Sequence, residues 1–440
     1  MTLDEIGDWR KTHYTNEITP KLVDQEVILG GWVRNFRDLG GLRFIILQDK
    51  MGERQITVKK GKVADDLFEK SKMGSQYCIM VKGRVKPFKA APGGVEIIPS
   101  EIRILNGTPE KLPIDMSGET VSELDLRLNH RALDLRSKRN EAIFGIRGET
   151  IKAIRKFLFE RDFTEITTPK IIGSATEGGT ELFPIMYFDK EAFLTQSAQL
   201  YKEQLCGVYE KVFEISPCFR AEKSRTKRHI CEIFVLDVEL AFGNMHDILK
   251  LLEELVYYVI EQIRENQMPS LQFLNMENKT VLPEIPLKRY KYDEILEILN
   301  SKFKIEMEWG EDISTEAYRK LGEELKYYYY ITHWPMSIKP FYIMPSKDPN
   351  YSESFDLQMG MLELTSGGTR VHNKQRLIDA LESKGLNPKS FEYHLNAFDY
   401  GMPPHAGFGL GIARWITFLC GLDDIREAVM YPRTPDRLTP

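Results

Sequence analysis

The sequence predicts an α+β protein in two parts: a small five-stranded β-barrel, then a larger domain of helices around a large sheet. Three observations predict it. The chain has 440 residues, more than one hydrophobic core usually organises. Residues 25–105 are dense in short β-branched runs separated by turn residues, whereas the later part interleaves strand-like and helical patterns. The composition, 42% hydrophobic and 28% charged with no low-complexity block, is that of a folded globular chain, so fibrous and disordered classes drop out.

Within the first part, the strands are EVILGGWVRNF, RFIILQDKMGERQITV, YCIMVKGRVKPF and GVEIIPSEIRIL. Gly40-Gly41 and Pro92-Gly93-Gly94 supply turns, and Lys60 to Lys72 reads as a helix between strands. That is the layout of an OB-fold, here assigned to residues 1–107, a fold that often stacks single-stranded bases on aromatics along a basic groove. Residues 1 to 110 hold 18 Lys and Arg against 15 acids, the remainder 42 against 50, an asymmetry that fits a nucleic-acid footprint or ordinary scatter equally well.

Residues 108–137 contain prolines and charge but no long apolar period and read as a hinge. From 138 to 440 the patterns alternate. Ile151, Ile154, Phe157 and Leu158 mark a helical face. Strand-like segments follow at 164–168, 192–195, 211–219, 233–242, 340–344, 354–365 and 406–411, with helices at 197–206, 246–266, 292–300, 374–384 and 411–420. The start of the chain carries Asp4, Glu5 and Asp8 and no apolar leader, and no window reaches membrane-spanning length, so we expect neither secretion nor a membrane span. Cys78, Cys206, Cys218, Cys231 and Cys420 show no CxxC or Cys/His spacing, so we expect reduced thiols, no zinc and a cytoplasmic protein.

The most informative stretch is FRAEKSRTKRH, residues 219–229, with five basic residues and His229 against one acid. On a strand Arg220 and Glu222 share a face, and a cationic loop beside such an Arg suits a polyphosphate; a solvated basic loop is the plainer alternative. Asp356 and Glu363 are seven apart, so they meet at one cation only if the chain turns or bulges, with Gly360 the expected place. Gln196, Gln199 and Lys202 lie along one helical edge, and Asp237 and Glu239 share a strand face. The run GFGLGIARW reads as a glycine-rich strand-to-helix turn delivering Arg414.

In this order, the segments resemble the three signature motifs of the class II aminoacyl-tRNA synthetases, in the subgroup with an N-terminal OB-fold for the anticodon. FTEITTPKI resembles motif 1, FRAEKSRTKRHICEIFVLDVELAF motif 2, and PPHAGFGLGIARW motif 3. The resemblance runs over essentially the whole chain and is strongest to the aspartyl-tRNA synthetases of archaeal and eukaryotic type, since the roughly 110 residues from Gly243 to Ser352 leave little room for the bacterial insertion. It implies a catalytic domain on a large antiparallel sheet flanked by helices, a homodimer with Pro169 at the interface, and Mg²⁺ with ATP as substrate.

Roles follow position by position as the resemblance implies them. Arg220 contacts the ATP α-phosphate, Glu222 the adenine, and His229 with Arg414 the γ-phosphate, with Arg228 beside them; Arg220, His229 and Arg414 are the catalytic set. Asp356 and Glu363, with Ser366 close by, match the metal ligands, and Glu363 also reaches ATP. Glu177 closes over the substrate's α-amino group, which Gln199 helps to hold, while Lys202, Asp237 and Arg370 select the aspartate side chain near Ser366. In the barrel, Arg37, Phe44 and Gln55 match anticodon-contacting positions of tRNA-Asp, although Phe44 read alone could equally be a core aromatic. Arg34 and Pro92 stand where strict and relaxed archaeal enzymes differ; Pro92 fits the relaxed pattern and Arg34 neither, leaving tRNA-Asn charging open.

A buried Lys and Arg facing a β-carboxylate would leave asparagine underpaired by several kcal/mol, roughly 10⁴-fold, which favours aspartate. FRAEKSRTKRH, SQYC, APGG and YPRTPDRL have an asparaginyl flavour, and an asparaginyl-tRNA synthetase is the alternative. A tRNA-independent asparagine-forming ligase and a non-catalytic tRNA-binding paralogue are remoter, given the intact barrel and the retained Arg220, His229 and Arg414. Two positions depart from the family pattern: Ala413, where motif 3 usually has Glu, and Thr369, where Gln is usual.

Overall fold

Aliphatic residues recurring on the inward face of five strands close the N-terminal segment on itself. The computed structural model describes residues 3–118, 120–173, 181–223 and 226–440, in two compact units, Met1–Ser137 and Lys138–Pro440. In the first, β1 (Glu26–Asp38), β2 (Leu42–Asp49), β3 (Gly52–Lys59), β4 (Cys78–Pro87) and β5 (Val95–Asn106) form a closed barrel in the order β1-β2-β3-β5-β4. Val27, Leu29, Ile45, Leu47, Ile56 and Val58 fill it and are fully buried. The residues between them point outward, because side chains alternate along a strand.

Phe44 belongs to that outer set. It lies opposite Arg37 on β1 and Thr57 on β3, outside the barrel core, which removes the core-aromatic alternative. The helix expected over 60–72 is shorter, Asp65–Lys70. Residues 108–137 carry two short helices, Leu124–Asn129 and Arg131–Asp134, instead of a bare hinge. Ion pairs pin them: Arg127 and Arg131 both reach the buried Asp134 carboxylate, at 2.9 and 2.5 Å, so no apolar period was there to be read.

The second unit is built on an eight-stranded sheet. Its order is Lys288–Lys291, Tyr328–Thr332, Ser354–Met359, Leu362–Thr369, His405–Gly411, Glu232–Ala241, Lys211–Phe219 and Thr164–Glu165. The six central strands are antiparallel, but both edge strands pair parallel, so the sheet is mixed rather than purely antiparallel. Two of these strands, Lys288–Lys291 and Tyr328–Thr332, escape sequence reading; the second is buried at all five positions and so shows no alternation. The expected strand at 340–344 is irregular chain with a single bridge, Ile343 to Arg370.

One face of the sheet is packed. Helix Met245–Asn266, started by an Asn244/Asp247 capping box, and helix Lys138–Phe159 bury Ile248, Leu252, Val256, Val259, Ile154 and Phe157 against Leu236, Val238, Phe355, Leu357, Phe408 and Leu410. The alternate residues, Asp237, Glu239, Asp356, Gly407 and Gly409, therefore face the other way. Everything chemical in this unit sits on that second face.

Candidate active site

The floor of the site is a strand almost without side chains. On His405–Gly411, Gly409 pairs with Asp237 on one side and Ser366 on the other, and Gly407 with Glu239 and Gly368. A Cβ on Gly407 would lie 2.1 Å from Glu239 Oε2 and 2.2 Å from the Val238 carbonyl oxygen. The run read as a strand-to-helix turn is a strand that passes directly into a helix, with Arg414 in its first turn. Its glycines let carboxylates from the neighbouring strand lean across, and helix Ile412–Leu419 begins only after Gly411.

Over this floor runs a buried chain of charges. Lys202, 1% exposed, directs Nζ to Asp237 Oδ1 at 2.8 Å, to the Phe408 carbonyl at 3.2 Å and to Glu239 Oε2 at 3.5 Å. The first two are hydrogen bonds and the third is an ion-pair contact. Glu239, fully buried, takes the Arg370 fork through Nε at 3.0 Å and Nη2 at 3.4 Å. Two cations and two anions therefore balance before any ligand binds, and the Arg370 pKa is raised: burial opposes this, but Glu239 and Glu203 outweigh it. Asp237 Oδ2 is buried without a partner. The Thr369 hydroxyl is structural: it accepts from the Met245 amide at the helix start.

A cleft of about 290 Å³ opens above the floor. It is lined by Arg220, Glu222, Arg228, His229, Gln199, Lys202, Asp237, Glu363, Ser366, Arg370 and Arg414, so residues singled out from five separate segments meet in one place. Its lining holds six Lys and Arg side chains against three acids, a setting suited to a polyanion. Arg220 and Glu222 are not on a strand, as the spacing suggested. The strand ends at Phe219, and the Arg220 amide adds one further bond to the Cys231 carbonyl. His229 Nδ1 meets Thr226 Oγ1 at 2.6 Å and its Nε2 lies 3.8 Å from Glu222. Arg414 Nη1 donates to the Glu363 carbonyl at 3.1 Å and sits 3.6 Å from its carboxylate. Ala413 beside it is buried in the core.

Asp356 and Glu363 are brought together by both devices the spacing demanded. The chain turns at Gly360, whose φ is 58°, and a bulge follows: Leu357 pairs with Thr365 but Gln358 with Glu363, leaving Leu364 unopposed. The extra residue places Glu363 on the same face as Ser366 and Asp356. Burial, and then the Asp356 charge, push the Glu363 pKa upward. Lys339, which sequence reading missed, holds Asp356 Oδ2 at 3.0 Å, while Oδ1 is buried without a partner. Two converging carboxylates with an orphaned oxygen are a donor set that fits a hard divalent cation shared with phosphate oxygens, although no cluster of three or more such ligands occurs among the described residues.

On the barrel, Arg37 is exposed beside the half-buried Phe44. The Gln55 amide is held by Thr57 Oγ1 at 3.1 Å and Glu96 Oε2 at 3.2 Å, on the same outer face. Arg34 sits at the β1 bulge and pairs with Glu53 at 2.8 Å, and exposed Pro92 accepts from Arg54 through its carbonyl. Pro169 is exposed between Thr168 and Lys170, which are both tied to the buried Glu214. Glu177 lies outside the described residues. The main group missed as functional is Glu239; its i, i+2 relation to Asp237 was the available signal. Among the described residues no helix is long and apolar enough to cross a membrane, and all five cysteines are free thiols.

Residues 123–435 match the family described as tRNA synthetases class II (D, K and N), and residues 27–105 match the OB-fold nucleic acid binding domain. The chain is 46% identical over 435 residues to the aspartate–tRNA(Asp/Asn) ligase of Methanocaldococcus jannaschii, covering 98% of this chain and 99% of that one. It is 47% identical over 430 residues to the protein of the same name from Archaeoglobus fulgidus, covering 97% and 99%. Among solved structures it is similar to asparaginyl-tRNA synthetase from Pyrococcus horikoshii complexed with asparaginyl-adenylate, with a TM-score of 0.92, 36% identity and 98% and 100% coverage.

The glycine floor has a measurable consequence. Gly407→Ala should cost about 1–3 kcal/mol of stability through overpacking, read by chemical denaturation, and should weaken amino-acid binding because Glu239 must move and release Arg370.

Proposed function

Because the chain belongs to the class II tRNA synthetases of the D, K and N group, we propose that it joins L-aspartate to tRNA-Asp through an aspartyl-adenylate, and that it also charges tRNA-Asn. One observation carries the reading: a cation-rich cleft for a triphosphate opens directly onto a buried Lys202–Asp237–Glu239–Arg370 chain able to take an acidic side chain. The name shared by the archaeal relatives supports the dual tRNA choice.

The aspartate α-carboxylate attacks the α-phosphorus of ATP in line and pyrophosphate leaves; no protein nucleophile is needed. Arg220 neutralises charge developing on the α-phosphate, and His229 with Arg414 receives the terminal phosphates. Arg370 uses two donors on Glu239, and its remaining edge is directed to the β-carboxylate. Lys202 does not need to touch the substrate; it keeps Asp237 and Glu239 in place. Asp356 and Glu363 would hold Mg²⁺, which neutralises triphosphate charge when bound. The 3′-terminal ribose hydroxyl of the tRNA then attacks the adenylate carbonyl carbon, forming the ester and releasing AMP.

A second reading rests on Asp237 Oδ2. A buried acceptor without a partner suits the N–H of an asparagine amide, and the similar Pyrococcus horikoshii structure holds asparaginyl-adenylate. Exchange of pyrophosphate into ATP, with aspartate or asparagine supplied separately, separates the two. Exchange with aspartate is expected; exchange with asparagine alone would transfer the assignment. In the same assay Arg220→Ala should lose at least about 3 kcal/mol of transition-state stabilisation, and near-native activity would remove Arg220 from its role.

The outer barrel face around Arg37, Phe44 and Gln55 is proposed to bind the anticodon, with Phe44 stacking on a base. Phe44→Ala should weaken tRNA binding by about 1–3 kcal/mol while amino-acid activation stays unchanged. An equal loss in both would mean that Phe44 supports folding instead. We also propose a homodimer through the face presenting Pro169, which predicts a sedimentation mass of two chains and a shift toward one chain when Pro169 is replaced by Lys.

A further inference from the structure

We propose that Glu203 is a positioning residue: held by His394 and His405, its carboxylate orients the Gln199 amide so that the carbonyl oxygen, not the nitrogen, faces the α-ammonium group of the amino acid. This rests on the activation reading above and deepens it.

Glu203 lies one turn beyond Gln199 on helix Gln199–Tyr209 and is fully buried. Gln199 Nε2 donates to Glu203 Oε1 at 2.5 Å. An ionised carboxylate only accepts, so the nitrogen end of Gln199 must turn toward it, and the oxygen end is left for the cleft that Gln199 lines. Without Glu203 the amide could present either end with equal ease.

Two histidines keep this carboxylate ionised in a dry place. Glu203 Oε2 faces His394 Nε2 at 3.4 Å and His405 Nε2 at 3.8 Å; all three side chains are fully buried, and none of these atoms has a hydrogen-bond partner. The tautomers follow from their other contacts. His405 Nδ1 is 2.8 Å from the Pro403 carbonyl and must donate, so a proton on Nε2 makes the ring cationic. His394 Nδ1 is 3.3 Å from the Gln204 amide nitrogen, which can only donate, so the His394 hydrogen sits on Nε2, the ring nitrogen 3.4 Å from Glu203 Oε2.

Burial would raise the Glu203 pKa, but the two histidines hold it well below the ordinary carboxylate range. Burial would lower that of His405, but Glu203 and then Glu239 raise it. The other charged or titratable groups near this pair, among the described residues, include Cys206 on the same helix, Glu239 on the adjacent strand, and Arg370 and His372 just beyond strand Leu362–Thr369.

The test is steady-state pyrophosphate exchange with the full chain carrying Glu203→Gln. His394 still requires an oxygen, so the new amide turns its nitrogen toward Gln199, which must flip and offer nitrogen to an ammonium ion. The KM for aspartate should rise on the order of tenfold or more while the KM for ATP stays within about twofold. The double replacement Gln199→Glu with Glu203→Gln keeps the hydrogen bond in reverse and puts an acceptor back in the cleft, so it should recover most of the aspartate affinity.

Gln199→Glu alone sets two carboxylates against each other and should not. If Glu203→Gln by itself does not fold, that comparison carries the test, and a double variant no better than Gln199→Glu overturns the inference. An aspartate KM unmoved by Glu203→Gln, or ATP and aspartate KM values rising together, also overturns it and leaves the activation reading standing. A wild-type chain that exchanges with neither amino acid overturns both.

Discussion

The second unit depends on a single electrostatic constraint: two buried cations and two buried carboxylates must be paired on one face of a sheet. Lys202, Asp237, Glu239 and Arg370 come from a helix, a strand and the residue just after a second strand, and none could be buried alone without a large desolvation cost. Their arrangement explains the glycines of the central strand. Any side chain at Gly407 would occupy the volume of the Glu239 carboxylate, so a substrate-binding floor and a charge-paired core are the same structural decision. It also explains why Thr369 is tolerated, since its side chain is turned toward a helix start and away from the charges.

The cleft divides along its length. At the Arg220, Arg228 and Arg414 end cations exceed acids, a field suited to a polyanion. At the Lys202 end charges are already balanced, so what remains for a ligand is geometric: a donor edge on Arg370 and an acceptor oxygen on Gln199. Burial, and after it the Asp356 charge, raise the pKa of Glu363, so this carboxylate pair is costly to ionise by itself. Excess charge and balanced charge thus sit on different residues of one cleft.

Much of this was legible because alternation and residue type carry it. The barrel strands, Arg220 with its basic loop, and Arg414 after a glycine run were all readable, since strand period and charge clustering are local properties. Phe44 was not: an aromatic on a strand faces inward or outward according to register, and only its pairing with Arg37 and Thr57 put it on the outer face. Strand Tyr328–Thr332 was missed because burial on both faces erases alternation. Lys339 and Glu203 were missed because a single charged residue far away in sequence gives no sign of which charge it will meet.

By itself, the sequence determined the two-part organisation, the strand-and-helix content and the kinds of group available for chemistry, because these follow from composition and from periods of 2 and 3.6 residues. Only the tertiary structure decided which of those groups share a site. The one-residue bulge at Leu364 swings Glu363 to the face of Asp356, and the register of His405–Gly411 sets Gly409 between Asp237 and Ser366. Both are matters of strand pairing between segments far apart in the chain, set by the packing of the opposite, apolar face, where Leu236, Val238, Phe408 and Leu410 must be buried together.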